Sequence, residues 1–233
     1  MSNETAVQAP ARGRIAFGAT AILAAFGMVL NLVLTALGTY PSTQTVPTLL
    51  GFNEPGMAGM PGRVFDFLSY FTVLSNILVA VVMAMLWRDP QRNGVVFRVL
   101  RMDALLMITV TGLIYWGVLA GGVELQGLEH VTNIVEHTLV PIAAILVFLV
   151  FGPRGQFRVS TVFAALILPI SWALVTLVRG AVITAYPYGF IDVARYGYGS
   201  VLVNIAGVAV FGVIIGFVFL GIDRLLTRAG RAK

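Results

Sequence analysis

The chain of 233 residues has no cysteine, which excludes disulfides, thiolate metal sites and cysteine nucleophiles. Its two histidines, His130 and His137, are too few for a zinc centre, which draws on three or four clustered ligands, so no metal is expected. Charge is also scarce: Asp, Glu, Lys and Arg make up 11% of the chain, against about 25% in a soluble domain. With 58% of residues hydrophobic, the composition is that of a membrane protein. A net charge of +5 would suggest nucleic acid as a partner in a soluble chain. Here the basic residues sit in short loops between apolar runs, where they report orientation, and no basic face for DNA or RNA is formed. There is no internal repeat of the kind that marks transporters built from inverted halves.

What the chain does have is six long apolar segments, Ile15 to Leu37, Val64 to Trp87, Phe97 to Ala120, Val131 to Phe151, Thr161 to Ala185 and Ser200 to Leu220. Each is long enough to cross about 30 Å of hydrocarbon as a helix. The expected fold is therefore all-α, a polytopic six-helix bundle forming one domain over 14–227. A short disordered tail is expected over 1–13 and a basic tail over 228–233. The first segment follows Arg12 and Arg14 as a signal peptide would, but it exceeds the length of a signal-peptide core and is read as a retained span.

Twelve of the fifteen Lys and Arg residues fall in one set of alternate loops and the termini, and only Arg63, Arg179 and Arg195 fall in the other. Both termini are thus expected in the cytoplasm, in the inner membrane if the chain is bacterial. All seven tyrosines, Tyr40, Tyr70, Tyr115, Tyr186, Tyr188, Tyr196 and Tyr198, lie toward the outer side, as do both histidines. An interfacial belt would be aromatic on both faces, so the excess points to an aromatic-lined cavity opening outward. The loops 38–62 and 186–199 are rich in Gly and not long enough to be independent domains, and both read as flaps over that opening.

Polar residues inside the spans are grouped. At about 100° per residue, Asp66, Ser69, Thr72 and Asn76 share one face of the second span. Asn133, His137 and Pro141 recur at i, i+4 and i+8 on the fourth. Thr72 is about 12 Å and His137 about 9 Å below the outer edge at 1.5 Å per residue, a matching depth for a hydroxyl nucleophile and an imidazole base. The competing structural roles are a threonine bonded to the carbonyl one turn earlier and a histidine satisfied by Asn133 and a neighbouring helix. His130, at the membrane edge, is expected to be solvated. Asp66 is expected to pair with Arg63 at i, i+3. Glu136 points about 100° away from His137 and is expected to pair with Arg179. Arg179 could alternatively hold an anionic headgroup, with Ser69, Tyr70, Tyr115 and Glu136 as further substrate contacts. Asn76 and Asn204 are possible oxyanion donors, or interhelical glue; a backbone amide freed by a local break is another oxyanion donor.

The threonine within Phe71-Thr72-Val73-Leu74-Ser75-Asn76 and the histidine within Glu136-His137-Thr138-Leu139-Val140-Pro141, set in six spans with both termini inside, resemble the androgen-induced gene and androgen-dependent TFPI-regulating protein family, in its bacterial branch. The resemblance covers nearly the whole chain. It implies a threonine hydrolase that cleaves fatty acid esters of hydroxy fatty acids within the membrane, with Thr72 as nucleophile and His137 as general base. It implies membrane lipids or a fatty-acyl ester as the partner and no cofactor. The acyl chain would then lie between the second and fourth spans. The long loop 38–62 and the Tyr-rich loop after the fifth span depart from the family pattern and bear on the substrate.

A small-solute or lipid transporter would share a polar interior but would need it to continue to the inner face, where these spans are apolar. A haem protein is disfavoured because His130 and His137 lie on one helix and cannot clamp a ring from both sides. A membrane scaffold, with the polar stripes as packing glue, is the remaining alternative.

Overall fold

Inside a bilayer a backbone has no hydrogen-bond partner but itself, so apolar runs of this length fold as helices. The computed structural model describes residues 11–39, 45–122 and 125–231. Within these it holds α1 (Ala11–Leu37), α2 (Met60–Ser69), α3 (Phe71–Arg88), α4 (Val95–Ile114), α5 (Glu129–Ile134), α6 (Val140–Phe151), α7 (Val159–Ala164), α8 (Ile167–Ile183) and α9 (Val193–Arg231). Among the described residues there is no strand, and six helical stretches are long and apolar enough to span a membrane. The protein is an all-α, six-span integral membrane bundle. Tyr40 and most of the expected N-terminal tail lie outside the described residues, although α1 already begins at Ala11. The expected C-terminal tail also differs, because α9 continues through Arg224 and Arg228 to Arg231; Lys233 lies outside the described residues.

Helix α4 is the axis of the bundle, buried without interruption from Arg101 to Ile108. On one side α3, α6 and α1 pack together around it, and on the other α7 and α9 close against it. Close approach depends on small residues. A Cβ on Gly27 of α1 would lie 2.7 Å from Val135, and one on Gly216 of α9 would lie 2.7 Å from Val162 of α7. Gly212 and Gly216 are spaced four apart, the spacing that lets membrane helices meet backbone to backbone. Arg101 sits in this interior, although by sequence it counts as a loop cation. It is 2% exposed, donates to Gln156 (2.9 Å) and packs on the rings of Phe148 and Phe157.

Two expected spans are broken. The fifth divides into α7 and α8 at Ala165-Leu166, because Pro169 has no N–H and its ring would collide with the carbonyl four residues earlier. The second divides at Tyr70, where no proline or glycine intervenes. The loop before α2 and the loop after α8 do converge, as the sequence predicts: Leu50 N–H donates to Tyr186 O and Tyr186 N–H to Thr48 O, each at 2.9 Å, and the Thr48 hydroxyl meets Asp192. The Tyr186 ring lies directly on Gly180, where any Cβ would overlap it. Asn204 is glue rather than an oxyanion donor, since its amide holds Phe190 O at 2.8 Å.

Replacing Gly216 by Val should cost about 1–3 kcal/mol through overpacking against Val162, read as a lowered thermal midpoint in detergent. Val162→Ala in the same chain should recover most of that loss. An unchanged midpoint in the single variant would contradict the contact described.

Candidate active site

The break at Tyr70 has identifiable causes. The Ser69 hydroxyl bonds back to Phe65 O (2.8 Å), and the Ser69 carbonyl accepts from the Trp172 indole (3.0 Å). That carbonyl is thereby lost to the helix. Tyr70 turns extended (φ −75°, ψ 135°) and Val73 N–H bonds to Tyr70 O instead (3.1 Å). The break makes Phe71 the first residue of a new helix, and the amides of a helix's first turn point outward without intrahelical partners. Thr72 N–H is one of these and points at the Tyr188 hydroxyl, 3.4 Å away.

The fourth span is widened opposite this break. Residues Val135–Leu139 form a π segment between α5 and α6, a geometry that is rare and frequent at functional sites. In the π register Pro141 would donate to Glu136 O but has no N–H. Asn76 fills the gap, its side-chain amide donating to Glu136 O (3.3 Å) and to Thr72 O (2.9 Å). A second π segment, Tyr115–Leu119, caps α4 at the same level, and the Tyr115 ring stacks on His137 with centroids 4.0 Å apart.

These two distortions bring Thr72 Oγ1 to 3.2 Å from His137 Nε2. The other ring nitrogen, Nδ1, lies 3.1 Å from Asn133 O. A carbonyl can only accept, so Nδ1 carries the hydrogen and the neutral ring presents a bare Nε2 to the threonine. Thr72 therefore donates. Its hydroxyl is not bonded back one turn, unlike those of Thr20 and Thr109, which donate to Ala16 O and Leu105 O. The Tyr188 hydroxyl is 3.5 Å from Thr72 Oγ1, and burial pushes its pKa above the ordinary phenol value, which keeps it a donor.

Thr72, His137, Tyr115 and Tyr188 line the polar end of an apolar cavity whose space, open solvent at its mouth included, is about 850 Å³. Its walls come from α3 and α4 on one side and α8 and α9 on the other, and they are hydrocarbon below Thr111. The expected place for a chain, between the second and fourth spans, is filled by the Thr72, Asn76 and His137 contacts themselves.

No protein-family model, curated protein or solved structure matches this chain.

The site's chemistry thus rests on its own atoms, and they reassign several expected partners. Asp66 pairs with Arg179, not Arg63, at 2.5 Å, and also accepts from Asn53. Arg63 instead donates to Thr35 O and Ala36 O at the end of α1 and to Glu54 O and Gly56 O in the loop. Glu136 faces α1 and accepts from Asn31 at 2.9 and 3.0 Å, which leaves it no contact with Arg179. Arg179 packs over Phe65 and donates to Ser69 Oγ, and it does not line the cavity. Ser69, Tyr70 and Glu136 are likewise outside the lining, whereas Tyr115 is in it. The single polar stripe of the second span becomes two, because the break turns Asp66 and Ser69 toward Arg179 and leaves Thr72 and Asn76 facing the π segment. Both amide hydrogens of Asn76 are committed, so it is a brace rather than an oxyanion donor. Asn133 orients the imidazole through its backbone carbonyl. His130 is exposed, as expected. Trp172 has no part in the sequence reading, and Tyr188 enters it only as one of seven tyrosines on one side, with nothing in its spacing to single it out.

Asp66→Leu or Arg179→Met alone should each destabilise the protein by on the order of 3 kcal/mol, since each strands a largely buried charge. The double variant should lose much less than the sum. Additive losses in thermal unfolding would show that the pair does not interact.

Proposed function

We propose that this protein is an intramembrane lipid-ester hydrolase in which Thr72 is the nucleophile and His137 the general base. The observation that carries the reading is the 3.2 Å approach of Thr72 Oγ1 to a His137 Nε2 left unprotonated by the Nδ1 bond to Asn133 O. A threonine hydroxyl is a weak nucleophile until a neighbouring group takes its proton, and a neutral imidazole is suited to that near pH 7.

In the proposed reaction His137 Nε2 takes the Thr72 proton as Oγ1 attacks the ester carbonyl carbon. The developing oxyanion is met by the Tyr188 hydroxyl, and Thr72 N–H, which in the resting site donates to that hydroxyl, is the second donor once the oxyanion takes the hydroxyl's place. The imidazolium returns its proton to the departing alkoxide, leaving an acyl-threonine and a free alcohol. Water activated by His137 then attacks the acyl group, releases a fatty acid and restores the hydroxyl. The carboxylate role considered for Arg179 has no part here, because Asp66 already occupies that cation.

Fatty-acyl esters, including fatty acid esters of hydroxy fatty acids, fit an apolar cavity with a polar mouth, and the resemblance to the androgen-induced gene and androgen-dependent TFPI-regulating family points the same way. A solute transporter fits less well, since polar lining stops a turn below the dyad. The distribution of Lys and Arg favours cytoplasmic termini and a site mouth toward the outer face.

A fluorophosphonate probe should label the purified protein at Thr72, with labelling lost in Thr72→Ala and His137→Ala. Tyr188→Phe, which keeps the ring but removes the hydroxyl, should lower kcat for ester hydrolysis by about a hundredfold with KM nearly unchanged. Undiminished labelling or hydrolysis in Thr72→Ala would reject the reading.

A further inference from the structure

The cavity has a floor. Leu106, Leu166, Pro169, Val208 and Gly212 line its deep end. Beneath Gly212 the wall closes where Gly216 meets Val162, tightly enough that a Cβ on the glycine would sit 2.7 Å from Val162 Cγ1 and 3.7 Å from Leu106 Cδ1. Below that level Met102, Leu105, Val162, Ala165, Phe219 and Leu220 form a continuous buried cluster. The space is thus a blind tube, polar only at the end that holds Thr72, His137 and Tyr188.

Its length follows from α4. Tyr115, stacked on His137, marks the reacting level and Leu106 the floor, and the nine residue steps from one to the other span about 13 Å at 1.5 Å per residue. An extended chain of single bonds advances about 3.6 Å per three bonds, so roughly ten to twelve carbons fill the tube.

We infer that this cavity is a ruler for the acyl chain of the ester: it takes one straight, medium-length acyl group with its carbonyl at Thr72 and its methyl end at Gly212. The inference rests on the hydrolase reading for the role of the chain, but the binding of a hydrocarbon chain in the tube does not require turnover. Gly212 is the position to test, because a Cβ there meets Leu106 Cδ2 at 3.5 Å and Leu166 Cδ2 at 3.8 Å, ordinary contact distances that allow a larger side chain to be accepted and to fill the floor. Ala209, about 4.5 Å nearer the mouth along α9, also lines the tube and serves as the second position.

The test has two arms. In the first, hydrolysis of p-nitrophenyl esters is measured against acyl length, so that the only flexible chain is the acyl group. The native protein should peak at roughly ten to twelve carbons and fall at least tenfold for much longer chains. Gly212→Leu should move the peak to shorter chains, and Ala209→Leu should move it further. In the second arm, Thr72→Ala in a Trp87→Phe, Trp116→Phe background leaves Trp172, which lines the tube, as the only tryptophan. Quenching by bromine-labelled fatty acids, displaced by unlabelled acids of graded length, then reports binding without turnover. Length-selective binding that shortens with Gly212→Leu, together with no ester hydrolysis by the native protein in the first arm, would uphold the ruler and reject the hydrolase. Turnover that depends on Thr72 but keeps the same length profile in both variants would overturn the ruler and leave the hydrolase standing. Binding and turnover both indifferent to chain length would also overturn it.

Discussion

The structure turns on one hydrogen bond, from a threonine hydroxyl to an imidazole, made inside a membrane bundle between two helices that are each irregular at the point of contact. Two regular helices would keep every backbone group satisfied internally. Here α2 and α3 separate at Tyr70, and the fourth span widens to a π turn around His137. Each irregularity frees a backbone group, and each freed group has a polar partner nearby. Trp172 takes Ser69 O, Asn76 takes Glu136 O, and Tyr188 takes Thr72 N–H. Irregular backbone at membrane depth is tolerated only where such partners exist or a cavity is lined, and both conditions hold here.

The polar network and the hydrocarbon cavity divide the bundle between them. On the α1 side, Asn31, Glu136 and Asn76 form a hydrogen-bonded seam, buried at Glu136 and Asn76, that fixes α1, α3 and the π segment relative to one another. On the α8 side the Asp66–Arg179 pair anchors the short helix α2 to the fifth span. Between these braces the dyad opens onto an apolar space bounded by α4, α8 and α9. Above it, two loops are knitted by backbone hydrogen bonds at Leu50 and Tyr186, with Tyr186 seated on Gly180. That seating carries Tyr188, two residues on, to the hydroxyl of Thr72.

Much of this was legible in the sequence. Length and hydropathy are strong signals in a bilayer, so six spans could be read with modest errors at their ends. The depth of Thr72 and His137 could be counted from the span edges, and both do meet. Local breaks were less legible. Pro169 could have announced the split of the fifth span, but the break at Tyr70 follows from Trp172 and Arg179 on another helix, which no local pattern encodes. For the same reason Asp66 was assigned its sequence neighbour Arg63 rather than the distant Arg179. Side-chain spacing says which residues share a face of one helix, but not which helix that face will meet. Asn76 illustrates the point: its position on the stripe was read correctly, but its partner is a carbonyl that only the π turn and Pro141 leave free.

The proposed chemistry depends on the protonation pattern of one ring, and nitrogen-15 NMR of the histidine-labelled protein in detergent observes it directly. Only two histidines contribute, and His130 is exposed and removable. At neutral pH His137 should show a protonated Nδ1 and an unprotonated, hydrogen-bonded Nε2 whose signal moves when Thr72 is replaced by Val. A hydrogen on Nε2, or an Nε2 signal indifferent to that substitution, would contradict the arrangement on which the chemistry depends.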